Sequence, residues 1–302
     1  MSSLTYSVVG IGSVGSLIAY ALNYAKINPY LVIKDDKRRE FFVERDGHVN
    51  RITGTYVSFH DDKWFNSDVI ILCVKAYHID NILDKLRKVS SNSIVITVQN
   101  GFGSFEAVSS IIGKERTAQL VLNHGVYSDG LITKWVGGSI SYIGFSKTPV
   151  NNHILKIVVE DLKLLNIKIV DDIEPYRWLK LAVNSAINPI TAILGAKNGI
   201  ILENLWIKRI AEETINEIKK LAQTLMITMP NDPFKEMLNI VEATKNNYSS
   251  MLIDLKRNGK TEIDYINGHI IRLGDKIGLD LKINKILYYL VKSLEKGEKN
   301  EQ

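Results

Sequence analysis

The first half of the chain alternates short apolar runs with helical periods, and the second half is helical almost throughout. Tyr6 to Val9 is a short apolar run that ends in glycine. Residues 18–25 have helical character, and residues 30–33 are β-rich and end in charges. Residues 69–74 (VIILCV) and 94–98 (IVITV) are continuous apolar runs, as strands buried on both faces require. Such runs with helices between them predict parallel βαβ units. From about Ala118 to Phe145 three β-rich runs follow one another, with turns at Ser128-Asp129-Gly130 and Gly137-Gly138. They predict an antiparallel meander added to the parallel sheet, and residues 167–170 a last short strand. Beyond Asp172 a 3.6-residue period takes over, at 176–194, 203–226, 234–257, 262–277 and 283–296. The fold class is therefore α/β: an N-terminal Rossmann dinucleotide-binding domain (1–172) with an antiparallel extension, then an all-α domain (173–302). No repeat of solenoid period is visible.

Composition narrows the class. The chain has 302 residues, 45% apolar and 24% charged, which is ordinary globular usage and excludes disorder, collagen and coiled-coil rods. At this length a single core has usually stopped growing, which agrees with two domains. The one cysteine, Cys73, excludes an internal disulfide framework and fits a reducing, cytoplasmic compartment, where it serves as a small buried apolar residue. The N-terminus has no basic segment, and its apolar stretch is broken by three glycines and three serines, so neither a signal peptide nor a membrane span is expected. The formal charge is 38 − 33 = +5. Its basic runs, Lys37-Arg38-Arg39 and the scatter of Lys256, Arg257 and Lys260, are short, so nucleic acid is not an expected partner. An anionic small molecule is.

Gly10, Gly12 and Gly15 form G-x-G-x-x-G between a predicted strand and a predicted helix. In that setting the glycines permit a tight turn, approach to a pyrophosphate and close helix–strand packing. The loop Gly10, Ile11, Gly12, Ser13, Val14 and Gly15 is thus a candidate phosphate cradle. At the end of the second strand an acid suits NAD and basic residues suit NADP. Lys34-Asp35-Asp36-Lys37-Arg38-Arg39 offers both, with Asp35 20 positions after Gly15. Strand 69–74 runs into Lys75 and strand 94–98 into Gln99-Asn100-Gly101. Ligands bind off the carboxyl ends of such strands, so Lys75 and Asn100 are candidate contacts.

In the helical half, Lys180, Asn184 and Asn188 fall at i, i+4 and i+8, one polar stripe on an otherwise apolar helix. Either the stripe faces water or it lines a polar pocket, because unpaired buried polar groups are costly. Pro189 lacks an N–H and is expected to kink or break this helix. Thr261 is placed to cap a following helix, with Asp264 three residues on and Glu262 in its first turn. No His, Cys, Asp or Glu cluster suggests a metal.

These segments together resemble the ketopantoate reductase (2-dehydropantoate 2-reductase) family. The resemblance rests on GIGSVGS at the N-terminus, VKAY at 74–77, QNGFG at 99–103, WLKLAVNSAINPITAILGAKNG at 178–199 and SSMLIDLKRNGKTEIDYINGHI at 249–270. It covers nearly the whole chain. It implies a Rossmann domain and a helical domain with the active site in the cleft between them. It implies reduction of 2-dehydropantoate to (R)-pantoate with NADPH, a step towards pantothenate and coenzyme A. By motif position the catalytic lysine falls on Lys180, and the substrate-binding residues on Asn184, Asn188, Asn247, Ser250 and Glu262. The cofactor side takes Asn100 and Lys75, with Asn100 and Glu262 shared between substrate and cofactor. Many members carry an arginine after the second strand where this chain reads Lys34-Asp35-Asp36, which leaves room for NADH. Competing expectations are a reductase of another 2-keto acid and a non-catalytic dinucleotide sensor. The apolar helices leave room for a homodimer.

Overall fold

A computed structural model of the chain describes residues 4–34, 40–128, 132–146, 153–257 and 259–295. They form two compact units, one of Met1–Gln99 and Ser104–Glu174, the other of Asn100–Gly103 and Pro175–Gln302.

The first unit begins with β1 (Tyr6–Val9), α1 (Ser13–Tyr24), β2 (Tyr30–Ile33), β3 (Phe42–Arg45), β4 (His48–Arg51), β5 (Thr55–Ser58) and β6 (Val69–Leu72). It continues with α2 (Asp80–Leu86), β7 (Ile94–Thr97), α3 (Ser104–Ile112), β8 (Thr117–Val121), β9 (His124–Ser128), β10 (Ile132–Gly138) and β11 (Ser141–Gly144). It ends with α4 (His153–Asp161) and β12 (Ile167–Ile169). Eight strands make one sheet in the order β12-β11-β8-β7-β6-β1-β2-β5. Pairing is parallel throughout except between β11 and β8. The continuous apolar runs have their cause here. Tyr6 and Val8 of β1, Val69 and Ile71 of β6, and Ile94 and Ile96 of β7 pack on one face with Leu17, Ile18 and Leu22 of α1. Val9, Ile70, Leu72 and Val95 pack on the other with Ile82 and Leu86 of α2 and Val108 and Ile112 of α3. Both faces are covered, so neither needs polar positions. The chain goes from β1 to β2 on one side and returns to β6 on the other, which makes the β1/β6 edge a topological switch point.

One sequence expectation needs correction. The antiparallel extension exists as β11 against β8, but the β9–β10 hairpin does not join it. It enters a second sheet, in the order β4-β3-β10-β9. There β10 pairs in parallel with β3 and antiparallel with β9. The Arg45 guanidinium lies 4.7 Å over the Trp135 ring, and Trp135 donates to His124 at 3.2 Å, so side chains hold the hairpin to β3.

The second unit starts on α5 (Glu174–Leu194) and adds α6 (Ile200–Glu203), α7 (Leu205–Thr224), α8 (Pro233–Ala243), α9 (Ser250–Arg257), α10 (Asn267–Lys276) and α11 (Lys282–Leu294). The stretch expected at 203–226 is the single helix α7, preceded by the short α6, whereas the stretch expected at 234–257 is divided. Asn204 takes the N–H groups of Trp206 and Ile207 at 3.0 and 3.2 Å, which separates α6 from α7. Residues 244–249 separate α8 from α9. The stretch from 262 is not a helix start either. Ile263–Tyr265 is a 3-10 turn and α10 begins at Asn267. Thr261 donates its N–H and hydroxyl to Glu295, both at 2.7 Å, and Asp264 accepts from Tyr288 at 2.7 Å instead of completing a capping box.

Pro189 does not break its helix. α5 runs through it from Glu174 to Leu194. The carbonyl of Ser185, which a residue-189 N–H would ordinarily take, accepts from the Asn267 side chain at 3.0 Å instead.

Candidate active site

The turn from β1 into α1 is folded onto itself and onto the end of β6. Gly10 has φ +91°, and a Cβ there would stand 2.6 Å from Val74 Cγ1. A Cβ on Gly15 would stand 2.0 Å from the Gly10 carbonyl oxygen. Gly12 differs: it is exposed, and a Cβ there would meet nothing within 4 Å. Ile11, Ser13 and Val14 around it are half-buried. No acid lies in the first turn of α1 and no side chain caps its N–H groups. The loop therefore presents backbone donors beside open space at the positive end of a helix, at the switch point of the sheet. Exposed Lys34 follows β2, and half-buried Lys75 follows the end of β6. Asp35, Asp36, Lys37, Arg38 and Arg39, on which the expected choice of cofactor turned, lie outside the described residues.

In the helical unit the polar stripe of α5 sits on a helix whose other faces are packed. Trp178, Leu181, Ala182, Val183, Ala186 and Ile187 are all buried. Lys180 and Asn184 are half-buried and Asn188 is buried. Burial lowers the pKa of the Lys180 ammonium from its ordinary value to about 8, and the charge of Glu262 acts in the opposite direction. The Glu262 side chain is itself buried, and its Oε2 accepts from Asn100 Nδ2 at 3.3 Å. Asn100 reaches it because the next residue is glycine. Gly101 has φ +81°, and a Cβ there would stand 2.2 Å from the Tyr265 carbonyl oxygen. That oxygen accepts from the Phe102 N–H at 2.9 Å. Phe102 anchors the loop further: Arg177 lies 4.1 Å over its ring, His269 stacks at 5.1 Å and Trp178 meets it edge-on at 5.6 Å.

Farther along α5, the Thr191 hydroxyl donates to Ser249 Oγ at 2.7 Å, and the Leu252 N–H donates to the same oxygen at 3.3 Å. The Asn247 carbonyl accepts from the Asn198 N–H at 2.9 Å. Segment 247–250 is thereby tied to the C-terminal part of α5. Asn247 is left half-buried, and Ser250 is exposed as the first residue of α9.

Of the expected residues, Lys180, Glu262 and Asn100 are joined by charge and hydrogen bonding. Asn184 and Asn188 share the stripe of Lys180. Sequence reasoning did not single out Ser249, Phe102 or Asn267. Among the described residues no group of three or more His, Cys, Asp or Glu could hold a metal, and no helix is long and apolar enough to cross a membrane.

The lowered pKa fixes a sign for stability. Between pH 8 and ~10.4 the unfolded chain binds a proton at Lys180 that the folded chain lacks, so stability rises with pH across that window. Below pH 8 the penalty is fully present. Lys180→Met should therefore stabilise the fold at pH 7 by on the order of 3 kcal/mol, with the gain fading as the pH approaches ~10.4. Thermal unfolding across pH checks this. A destabilised variant at pH 7 contradicts it.

The family model described as "Ketopantoate reductase PanE/ApbA" matches residues 6–147, and "Ketopantoate reductase PanE/ApbA C terminal" matches residues 172–295. The chain is 34% identical over 292 residues to the 2-dehydropantoate 2-reductase of Pyrobaculum aerophilum, covering 95% of this chain and 97% of the relative. It is 31% identical over 295 residues to that of Pyrococcus horikoshii, covering 95% and 96%. Among solved structures, 2-dehydropantoate 2-reductase from Geobacter metallireducens superposes with a TM-score of 0.87 at 18% identity, over 96% of this chain and 99% of that one. D-mandelate dehydrogenase with NADH and anilino(oxo)acetate gives 0.84 at 21%, over 97% and 98%. The dimeric ketopantoate reductase of Staphylococcus aureus gives 0.78 at 21%, over 97% and 99%. At these identities the structural likenesses speak to the fold.

Proposed function

Because the chain belongs to the ketopantoate reductase family, we propose that it reduces the C2 ketone of 2-dehydropantoate to (R)-pantoate with NADPH or NADH. The observation that supports this most is the group formed by half-buried Lys180 and Asn100 around buried Glu262 on the helical unit, with the lysine pKa drawn down to about 8. A lysine so placed is still mostly protonated at neutral pH and gives up its proton far more readily than an exposed one.

The residues present fit a dinucleotide. The Gly10, Ile11, Gly12, Ser13, Val14 and Gly15 turn would cradle its pyrophosphate in the space left open at Gly12, with the N–H groups beyond Gly10 as donors, since the Gly10 N–H is spent on the Val32 carbonyl at 3.0 Å. Lys34 and Lys75 would lie toward its phosphates, and Asn100 and Glu262 would serve cofactor as well as substrate. When bound, the reduced nicotinamide supplies the hydride for C2. As negative charge develops on the ketone oxygen, the Lys180 ammonium stabilises it and donates the proton that completes the alcohol. Asn184 and Asn188 hold the ketone in line with that ammonium. Asn247 and Ser250 take the substrate carboxylate. Glu262 accepts a hydrogen bond from the 4-hydroxyl, so a keto acid without the hydroxyl leaves a buried carboxylate oxygen unmatched.

A second reading is a reductase of another 2-keto acid. It is favoured by the shared fold with D-mandelate dehydrogenase, whose solved complex holds NADH and anilino(oxo)acetate.

Two variants test the roles. Lys180→Ala should lower kcat by roughly 10²–10⁴ with modest change in cofactor affinity. Near-normal turnover removes Lys180 from the chemistry. Glu262→Ala should reduce the preference for 4-hydroxylated over unhydroxylated 2-keto acids by roughly tenfold or more. An unchanged preference takes the hydroxyl contact away from Glu262.

We also infer a cytoplasmic, self-associating protein. Ile286, Tyr289 and Leu290 are exposed on one face of α11, and a structural neighbour is dimeric. Sedimentation should find a dimer at micromolar concentration, and Tyr289→Lys should weaken it. A wild-type monomer contradicts this.

A further inference from the structure

The mechanism leaves a buried chain of polar groups unused. Asn267 and Asn284 are fully buried. The Asn267 amide donates twice, to the Ser185 carbonyl at 3.0 Å and to Asn284 Oδ1 at 3.0 Å. Asn284 in turn donates to the Thr214 carbonyl at 3.2 Å and to Glu217 at 2.8 Å. Glu217 also takes the N–H groups of Ile283 and Asn284, at 2.9 and 3.0 Å, where α11 begins. One amide thus connects α10 to α5, and through Asn284 to α11 and α7. The Asn267 acceptor, Oδ1, has no hydrogen-bond partner. Its two donors are what the fold uses.

The donor is needed because of Pro189. With no N–H at that position, the Ser185 carbonyl has lost its helical partner in the middle of a buried helix. An unpaired buried carbonyl is costly, and an alanine at 189 would avoid the problem without any asparagine at 267. The pair Pro189 and Asn267 therefore does something a plain helix does not: it makes the bonding of α5 depend on α10. Asn267 lies directly after the turn that carries Glu262. That turn is stiff, since the Tyr265 and Ile266 N–H groups both donate to the Glu262 carbonyl, at 3.0 and 3.1 Å. Ser185 lies beside Asn184 on the helix that carries Lys180 and Asn188.

We propose that Asn267 is a positioning residue: through the Ser185 carbonyl that Pro189 frees, it holds the Lys180 stripe of α5 in register with Glu262. This rests on the reductase reading for its kinetic consequence, but the geometry it asserts is independent of substrate.

The test uses Asn267→Leu, Pro189→Ala and the two combined, in the full chain. Alanine at 189 restores the N–H that reaches the Ser185 carbonyl within the helix. Asn267→Leu should lower kcat with 2-dehydropantoate at least tenfold per folded molecule, with the KM for NADPH within about twofold. Adding Pro189→Ala should bring kcat back to within about threefold of the Pro189→Ala variant alone. The Lys180 titration, read from its side-chain carbon resonance, should move up by about one pH unit in Asn267→Leu as water enters, and return in the double variant. A residue that serves only the fold would lower the unfolding temperature and leave kcat and this titration in place. That result overturns the proposal, as does a double variant that shows no recovery or does not fold. Should the wild type not turn over 2-dehydropantoate, the reductase reading fails alone, and the Lys180 titration in the four proteins still decides the role of Asn267.

Discussion

Burial of one ammonium governs the helical unit. Lys180 projects from a helix packed on its other faces, and burial works against its charge strongly enough to draw its pKa to about 8. The surroundings are built to hold that charge rather than to relieve it. Glu262 supplies the opposing carboxylate from a turn fixed at both ends, by the Thr261–Glu295 bonds on one side and the Asp264–Tyr288 bond on the other. The loop from Asn100 to Gly103 folds against this turn, and a methyl group at Gly101 would collide with the Tyr265 carbonyl. The fold gives up stability at Lys180, and under the proposed reaction that lysine is the acid, the exchange expected where proton transfer is the task.

The sheet unit follows a different constraint. Its central strands are covered on both faces, so their chemistry is confined to the strand ends. The Gly10–Gly15 turn, Lys34 and Lys75 all sit at such ends. The interlocked Gly10 and Gly15 and the open Gly12 divide the labour within one turn: two glycines let the backbone close on itself, and one leaves room for a ligand. Membership in the ketopantoate reductase family accounts for both units, since each is matched by its own part of the family description.

What was legible in the sequence was whatever depends on local pattern. β1, β6 and β7 are largely apolar runs, broken only by buried Ser7 and Thr97, because both faces are buried, and the Lys180–Asn184–Asn188 stripe shows through its four-residue spacing. β3 and β4 were not legible, being short, partly exposed and charged, with only Val43 buried between them. The destination of the β9–β10 hairpin was hidden for the same reason, since its partner strand gave no signal. Pro189 misled because its local meaning is a break, and the donor that repairs the helix stands 82 residues beyond Ser185. Thr261 was legible in part: its hydroxyl accepts from the Ile263 N–H at 3.2 Å as a local cap does, but its bonds to Glu295 come from the end of α11 and have no local signal.

The central claim is that this chain turns the C2 ketone of 2-dehydropantoate into an alcohol. Incubating the wild-type protein with 2-dehydropantoate and NADPH, then identifying the product and its configuration by chiral chromatography, tests it most directly. The account predicts stoichiometric oxidation of the cofactor with formation of (R)-pantoate, at a rate above that for 2-keto acids lacking the 4-hydroxyl. Tight cofactor binding with no pantoate formed, or faster reduction of an unhydroxylated keto acid, would contradict it.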